Sequence, residues 1–298
     1  MKVVLTGATG FVGKPCLELL SRRGHEVLVV SRQDAPRSIK NGVRWCRGDV
    51  GAPEAYRGTL AEFQPEAALH LAWEGIPDFS LQKCMANLHS GVIFGKAVLE
   101  AGCAHLVVAG SCWEYGKVDG MVSEDAPAAG PGVFGGSKNA QHSVLRALFE
   151  GAGASVAWSR IFFAFGPAQR PASLVPVICR SIAAGETPAL RTPAAASDFL
   201  YVEDAAAALV MLLETKAAGV FNVGSGTLTR ADEVAGLLLR IAGKEDLFAA
   251  QRAEDGPGAR SGFYADLSRM RALGWSPRVG LEEGLRRTFE GIVSGARA

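Results

Sequence analysis

Near its start the sequence reads Lys2-Val-Val-Leu-Thr6-Gly7-Ala-Thr-Gly10-Phe-Val-Gly13, the stretch that is most informative about the fold. Its first five residues are mostly apolar and β-branched, which is typical of a strand buried in a parallel sheet. Of the three glycines that follow, the first permits a tight turn, the second lets a pyrophosphate approach main-chain N–H groups, and the third allows close helix–strand packing. The stretch therefore predicts a phosphate site at the positively polarised start of the first helix.

Strand-like and helix-like segments alternate after this turn. Apolar, strand-like runs cover residues 27–30, 67–71, 106–109 and 156–162, and helix-like segments cover 15–23, 81–101 and 135–149. Such alternation predicts right-handed βαβ units and an α/β fold, a doubly wound parallel sheet of the Rossmann type. The alternation loosens after Gly166-Pro167. We expect residues 1–166 to form a nucleotide-binding domain and 167–298 a smaller, mainly helical substrate portion, of which segments such as 220–223 return to the sheet.

Composition excludes several other classes of protein. Lys and Arg together number 31 and Asp and Glu 30, for a net charge of +1, so bulk charge supports neither nucleic-acid nor membrane binding. The six cysteines are scattered without metal-ligand spacing, which predicts reduced thiols and no metal site. We see no targeting segment and no long apolar run, and we expect a cytoplasmic protein.

The end of the second strand indicates which dinucleotide binds. An NAD site usually places an Asp or Glu there, which accepts hydrogen bonds from the ribose hydroxyls. This chain has Val30-Ser31-Arg32, and the nearest acid, Asp34, lies beyond the expected end of the strand. A guanidinium can bind a 2′-phosphate that a carboxylate would repel. We therefore predict NADP, with NAD as the alternative; Arg32 could also be an ordinary exposed loop arginine.

Further motifs extend the pattern over nearly the whole chain. In order they are Gly48-Asp49-Val50, His70-Leu71-Ala72-Trp73, Asn87, Gly110-Ser111-Cys-Trp-Glu-Tyr115-Gly116, Arg160-Ile-Phe-Phe-Ala-Phe-Gly166-Pro167, Asp198-Phe-Leu-Tyr-Val-Glu-Asp204, Phe221-Asn-Val-Gly-Ser-Gly226 and Leu273-Gly-Trp-Ser-Pro277. Together with the glycine turn they resemble the extended short-chain dehydrogenase/reductase family, in particular its sugar-nucleotide epimerases, dehydratases and reductases. The cofactor-binding residues that we predict, Arg32 among them, are Gly7, Thr9, Gly10, Phe11, Val12, Arg32, Asp49, Val50, Leu71, Ala72, Trp73 and Lys138.

The catalytic pair departs from the family pattern. The family has Tyr-x-x-x-Lys at the start of a helix, with both side chains one turn apart on one face. Here the matching stretch is Phe134-Gly-Gly-Ser-Lys138. The resemblance implies that Lys138 orients the nicotinamide ribose and that Ser111 binds a substrate oxygen, whereas Phe134 has no proton to exchange. The alternatives for the missing acid are Tyr115, Cys112, Glu114 and a water held by Ser111 and Lys138.

The substrate side also departs from the family. Ser197 stands where many members have an arginine that binds the sugar-nucleotide diphosphate. Arg252 falls near a second such arginine, and it either binds the diphosphate or is a solvated loop residue. Cys112-Trp113 replaces the Asp-Glu pair of the 4,6-dehydratases, which argues against dehydration. We expect an NADP-dependent reductase, rather than an epimerase, for a nucleotide-linked sugar or a similar keto or hydroxyl compound. The alternative is a catalytically impaired NADP-binding sensor or scaffold. Both hypotheses, the reductase and the sensor or scaffold, allow a homodimer.

Overall fold

The computed structural model describes residues 1–38, 40–248 and 261–295. Within these ranges the chain forms two compact units, and each unit takes segments from distant parts of the sequence. Unit 1 comprises Met1–Lys117, Glu124–Ile161 and Ala206–Asn222, and unit 2 comprises Val118–Ser123, Phe162–Ala205 and the chain from Val223 onward. The linear division between residues 166 and 167 stays a prediction.

Twelve strands and nine α-helices lie in the described part of the chain. The strands are β1 (Lys2–Thr6), β2 (Glu26–Ser31), β3 (Val43–Arg47), β4 (Ala67–His70), β5 (His105–Ser111), β6 (Gly120–Val122), β7 (Ser155–Ile161), β8 (Phe163–Phe165), β9 (Ala196–Tyr201), β10 (Gly219–Val223), β11 (Leu228–Arg230) and β12 (Phe263–Ala265). The helices are α1 (Gly13–Arg22), α2 (Arg57–Phe63), α3 (Leu81–Glu100), α4 (Val133–Gly151), α5 (Leu174–Ala183), α6 (Val202–Thr215), α7 (Ala231–Ala242), α8 (Ser268–Ala272) and α9 (Leu281–Gly295). No helix among these residues is both long and apolar enough to cross a membrane.

A seven-stranded sheet organises unit 1, in the order β10-β7-β5-β4-β1-β2-β3. β1 pairs in parallel with β2 on one side and with β4 on the other. Because β1, β2 and β4 are almost wholly buried, their apolar runs have no polar face. The predicted doubly wound Rossmann class is confirmed, and the carboxyl ends of β1, β2 and β4 meet at one edge of the sheet.

The core of unit 1 packs helices against this sheet. Leu60 and Phe63 of α2, Phe94 of α3 and Phe149 of α4 are all buried in one cluster with residues of the strands. On each helix the buried members of this cluster lie three or four residues apart, which gives each helix one apolar face toward the sheet. The helices and the strands of unit 1 therefore share one buried core.

Unit 2 is built around smaller sheets and helices α5, α7 and α9. β9 pairs with β8 and β11, and β6 pairs with β12. Asp198 of β9 is fully buried, and its carboxylate accepts hydrogen bonds from the main-chain N–H groups of Ser225, Gly226 and Ala265 at 2.6–3.0 Å. The Asp198 side chain thus joins β9 to the turn after β10 and to β12.

Candidate functional site

A cleft of about 250 Å³ opens in unit 1 where β1, β2 and β4 end. Nine of the predicted cofactor-binding residues line it, namely Gly7, Thr9, Gly10, Arg32, Asp49, Val50, Leu71, Ala72 and Trp73. Phe11 and Val12 lie half-buried in the turn between β1 and α1, outside this lining. The structure therefore brings residues from four separate motifs to one edge of the parallel sheet.

The glycine turn fits tightly against the end of β4. Gly7 has a φ of +72°, and a Cβ at this position would lie 2.8 Å from the main-chain nitrogen of Ala72. A Cβ on Gly13 would lie 1.9 Å from the carbonyl oxygen of Gly7. Since neither position has room for a side chain, the first and third glycines are required by the turn itself.

Thr6 fixes this turn from the strand side, a role that sequence reasoning did not identify. Its hydroxyl accepts hydrogen bonds from the N–H groups of Leu71 and Ala72, both at 3.2 Å, and lies 2.8 Å from Nδ1 of His70. His70 is buried, and burial lowers its pKa to about 3, so the ring is neutral. A short polar side chain at the end of β1 could have suggested this link.

The β2 side of the cleft carries a guanidinium. Arg32 lines the cleft, whereas Asp34 pairs with Arg47 at 3.0 Å, away from the cleft lining. The Arg32 guanidinium contacts Glu74, whose carboxylate lies 3.0 Å away. Glu74 also lines the cleft, and sequence reasoning missed it because it follows a strand distant in sequence.

Lys138 lies on α4 in a buried position. Its Nζ donates a hydrogen bond to the carbonyl oxygen of Ala109 at 2.7 Å and lies 3.8 Å from the centre of the Trp73 ring. Burial lowers the pKa of Lys138 to about 7, although the Glu114 carboxylate acts in the opposite direction. The ammonium is therefore covered by an indole face and exchanges its proton near neutral pH.

Phe134 belongs to a cluster of four aromatic rings, which we call the aromatic cluster. Its other members are Trp73, Phe79 and Trp113, whose ring centres lie 5.3, 4.6 and 6.0 Å from that of Phe134. None of the four side chains can supply a proton at neutral pH. The Trp73 Nε1 is buried and has no hydrogen-bond partner among the described residues. Phe134 is thus surrounded by aromatic side chains.

The residues considered as replacement acids are buried. The Tyr115 hydroxyl donates to Oδ1 of Asn222 at 2.6 Å, and burial raises its pKa. Glu114 is fully buried and forms an ion pair with Arg160 at 2.9 Å. Cys112 is 2% exposed. The partners of Tyr115 and Glu114 give both residues structural roles in the loop after β5.

Ser111 ends β5 and begins a short 3₁₀ turn, Cys112–Glu114. Its hydroxyl accepts from the N–H of Trp113 at 3.2 Å, and its own N–H donates to Glu114 at 2.7 Å. The Glu114 carboxylate also accepts from Nε1 of Trp158 at 2.9 Å. One buried carboxylate therefore holds Ser111 in place.

Replacing Glu114 with glutamine is expected to lower the free energy of unfolding by about 1.5–3 kcal/mol. Glutamine keeps the shape but presents an NH₂ group to donors that need an acceptor, and it removes the negative charge that pairs with the buried Arg160. Urea unfolding of the variant measures the loss. Glu100→Gln changes the same charge on the surface and is expected to stay within about 0.5 kcal/mol. A similar small change in Glu114→Gln would contradict the buried-network argument.

Unit 2 holds a second recess, of about 280 Å³. Leu174, Val177 and Leu190 form apolar parts of its wall, and Arg191 adds one guanidinium. Ser197 lies in β9, and Arg252, the other predicted substrate residue, lies outside the described residues. The recess therefore combines apolar side chains with polar surface, including one guanidinium.

Known proteins share both the sequence pattern and the architecture. The chain belongs to the NAD dependent epimerase/dehydratase family, whose sequence model matches residues 3–224. A low-salt glycan biosynthesis protein of Haloferax volcanii is 26% identical over 96% of this chain and 96% of its own. The UDP-glucose 4-epimerase of Thermotoga maritima, solved with UDP-glucose, has a TM-score of 0.84 at 22% identity over 99% of this chain and 100% of that one. The UDP-glucose 4-epimerase of Thermus thermophilus, solved with NAD, has a TM-score of 0.80 at 26% identity over 98% and 99%.

Family membership confirms the resemblance inferred from the motifs. It places the chain in a family of enzymes that act on sugar nucleotides. NADP in place of NAD, reduction in place of epimerisation, and the roles of single residues stay predictions.

Proposed function

We propose that this protein is an NADP-dependent oxidoreductase that reduces a nucleotide-linked sugar or a similar keto compound. The observation that carries the proposal is the cleft wall at the end of β2, where the described lining residues are Ser31, Arg32 and Gln33 in place of an acidic residue. A guanidinium at this place favours a 2′-phosphate through charge-assisted hydrogen bonds. An NADP preference in turn suits an enzyme that consumes reducing power in a net reduction of its substrate.

The shape of the cleft supports a dinucleotide. Gly7 and Gly10 would let a pyrophosphate approach main-chain N–H groups, and Asp49 and Val50 would contact the adenosine half. Lys138 would hold the nicotinamide ribose, provided that the Trp73 ring moves aside from the ammonium that it covers. The bound cofactor supplies the hydride.

The chain's own residues would handle the substrate oxygen and its proton. The Ser111 hydroxyl can hydrogen-bond that oxygen, because Glu114 fixes the main chain of Ser111. Lys138 carries an exchangeable proton near neutral pH, which is the range in which a general acid is effective. Without a phenol at position 134, we expect slow turnover.

The recess in unit 2 supports a nucleotide-linked substrate. The apolar parts of its wall suit a flat base, and Arg191 suits a phosphate. The structurally similar UDP-glucose 4-epimerase of Thermotoga maritima is solved with UDP-glucose, which contains both a base and phosphate groups. The contribution of Arg252, a homodimer and a cytoplasmic location stay predictions.

A second candidate function is an NADP-binding sensor or scaffold without turnover. The aromatic cluster favours it, since Phe134 provides no acid and Trp73 covers Lys138. A turnover screen with NADPH and a panel of keto sugar nucleotides separates the two functions. Turnover on any member supports the enzyme, whereas tight NADPH binding with no turnover supports the sensor or scaffold.

NADPH is expected to bind at least several-fold more tightly than NADH, and Arg32→Ala should remove most of this difference. A charge-assisted hydrogen bond contributes about 1.5–3 kcal/mol, of which the exposed Arg32 would supply part. Calorimetry gives the dissociation constants of NADPH and NADH for the native protein and for Arg32→Ala. Arg47→Ala removes an exposed arginine outside the cleft lining and should leave the difference intact. Equal dissociation constants in the native protein would refute the NADP preference.

A further inference from the structure

An ion pair connects the two sides of the cleft. Arg32 follows β2 and Glu74 follows β4, and these strands flank β1 in the sheet. Nη1 of Arg32 lies 3.0 Å from Oε2 of Glu74, and both residues line the cleft. The pair therefore crosses the end of β1, where the glycine turn begins.

Glu74 is held in this position by its main chain as well as by its side chain. Its N–H donates to Oδ1 of Asn87 at 2.6 Å, and Nδ2 of Asn87 donates to the Glu74 carbonyl oxygen at 2.9 Å. Asn87 lies on α3 and is only 8% exposed. The buried Asn87 amide thus hydrogen-bonds both main-chain polar groups of Glu74. These bonds fix the main-chain position from which the Glu74 side chain extends.

A second cation holds the other carboxylate oxygen. Nζ of Lys83 lies 3.2 Å from Oε1 of Glu74. The hydrogen bond from Lys83 and the charge of Arg32 lower the pKa of Glu74, so the group is ionised at neutral pH. An anion that approaches Arg32 therefore meets a carboxylate that is already bound there.

We propose that Glu74 determines how strongly this cleft prefers a 2′-phosphorylated adenine nucleotide, by competing with the 2′-phosphate for the Arg32 guanidinium. The inference rests on the proposed role of Arg32. Two anions on one guanidinium repel each other, so binding of the phosphate favours withdrawal of Glu74 toward Lys83. Glu74 thereby reduces a preference that Arg32 would otherwise make larger.

The test compares 2′,5′-ADP with 5′-AMP, two nucleotides that differ only in the 2′-phosphate and lack the nicotinamide half. Glu74→Gln keeps the size and the hydrogen-bonding oxygen but removes the charge. It should tighten binding of 2′,5′-ADP by about three- to thirtyfold at low ionic strength. Binding of 5′-AMP should change less than about twofold, because 5′-AMP lacks the 2′-phosphate that would compete with Glu74 for Arg32. The gain should shrink in high salt, since the pair is exposed.

Glu100→Gln is the matched control. Glu100 also pairs with an arginine and a lysine, Arg57 and Lys96, each at 3.6 Å, and its side chain is 48% exposed, close to the 51% of Glu74. It lies at the opposite end of α3 from Lys83, about 25 Å along the helix. Glu100→Gln should leave the dissociation constants of 2′,5′-ADP and 5′-AMP unchanged. In the double variant Arg32→Ala/Glu74→Gln, the gain for 2′,5′-ADP should disappear.

The outcomes separate this inference from the proposed function. If Glu74→Gln leaves the ratio of the two dissociation constants within twofold of the native ratio, the inference is wrong, whatever the native preference is. If the native protein shows no preference but Glu74→Gln creates one that requires Arg32, the inference holds and the proposed NADP preference is wrong. A gain that persists without Arg32 would overturn the competition for its guanidinium.

Discussion

Replacing Phe134 with tyrosine is expected to raise the rate of ketone reduction by about one to three orders of magnitude, because a positioned general acid contributes ~10²–10⁴-fold. The change adds one hydroxyl to a ring of the same shape. Lys138 lies four residues further along α4, one turn away on the same face, and a charged ammonium there lowers the pKa of a nearby phenol. Steady-state oxidation of NADPH with keto sugar nucleotides measures the change.

Phe79→Tyr is the control for this experiment. The Phe79 ring lies 4.6 Å from the Phe134 ring, within the same aromatic cluster, but it is not on α4. It should not raise the rate, so that a gain specific to position 134 identifies the phenol as the missing acid. If the native protein is already fast and Phe134→Tyr slows it, another group supplies the proton. If neither protein turns over while NADPH binds, the sensor or scaffold function gains support.

The sequence was sufficient to predict the turn and the sheet because both depend on local patterns. Gly7 and Gly13 occupy positions where a Cβ has no room, so their spacing carries structural information by itself. The buried strands β1 and β2 likewise show continuous apolar runs. Parallel pairing then places the residues after β1, β2 and β4 at one edge, as the order of the motifs indicates.

The contacts between side chains of distant segments could not be predicted in this way. Glu74 meets Arg32 only because β4 and β2 both pair with β1, and sequence alone does not give that register. The sequence predicts that Trp73 contacts the cofactor, but its stacking on Lys138 depends on how α4 packs beside the loop after β4. The sequence predicted nine residues that line the cleft but not Glu74, and the structure shows which of these side chains neutralise or cover one another.

Replacing Lys138 with methionine is expected to abolish turnover, both in the native protein and in Phe134→Tyr, and to weaken NADPH binding. Methionine fills a similar volume but removes the ammonium that would hold the ribose and keep a phenol acidic. Calorimetry and the NADPH assay give the two readouts. Lys96→Met, a change at an exposed lysine of α3, should affect neither. Unchanged affinity and rate in Lys138→Met would show that the role taken from the family is wrong.

The pH dependence gives an independent check on Lys138. Its folded-state pKa is about 7, below the ordinary value of 10.5, so the ammonium is present below pH 7 and is lost above it. NADPH affinity of the native protein should therefore fall as the pH rises through about 7, and Lys138→Met should show no such fall. Between about pH 7 and 10.5 the unfolded chain binds one more proton at this residue than the folded chain, so the native free energy of unfolding should rise with pH relative to that of Lys138→Met. Parallel stability curves for the two proteins over this range would show that Lys138 is not a buried amine with a lowered pKa.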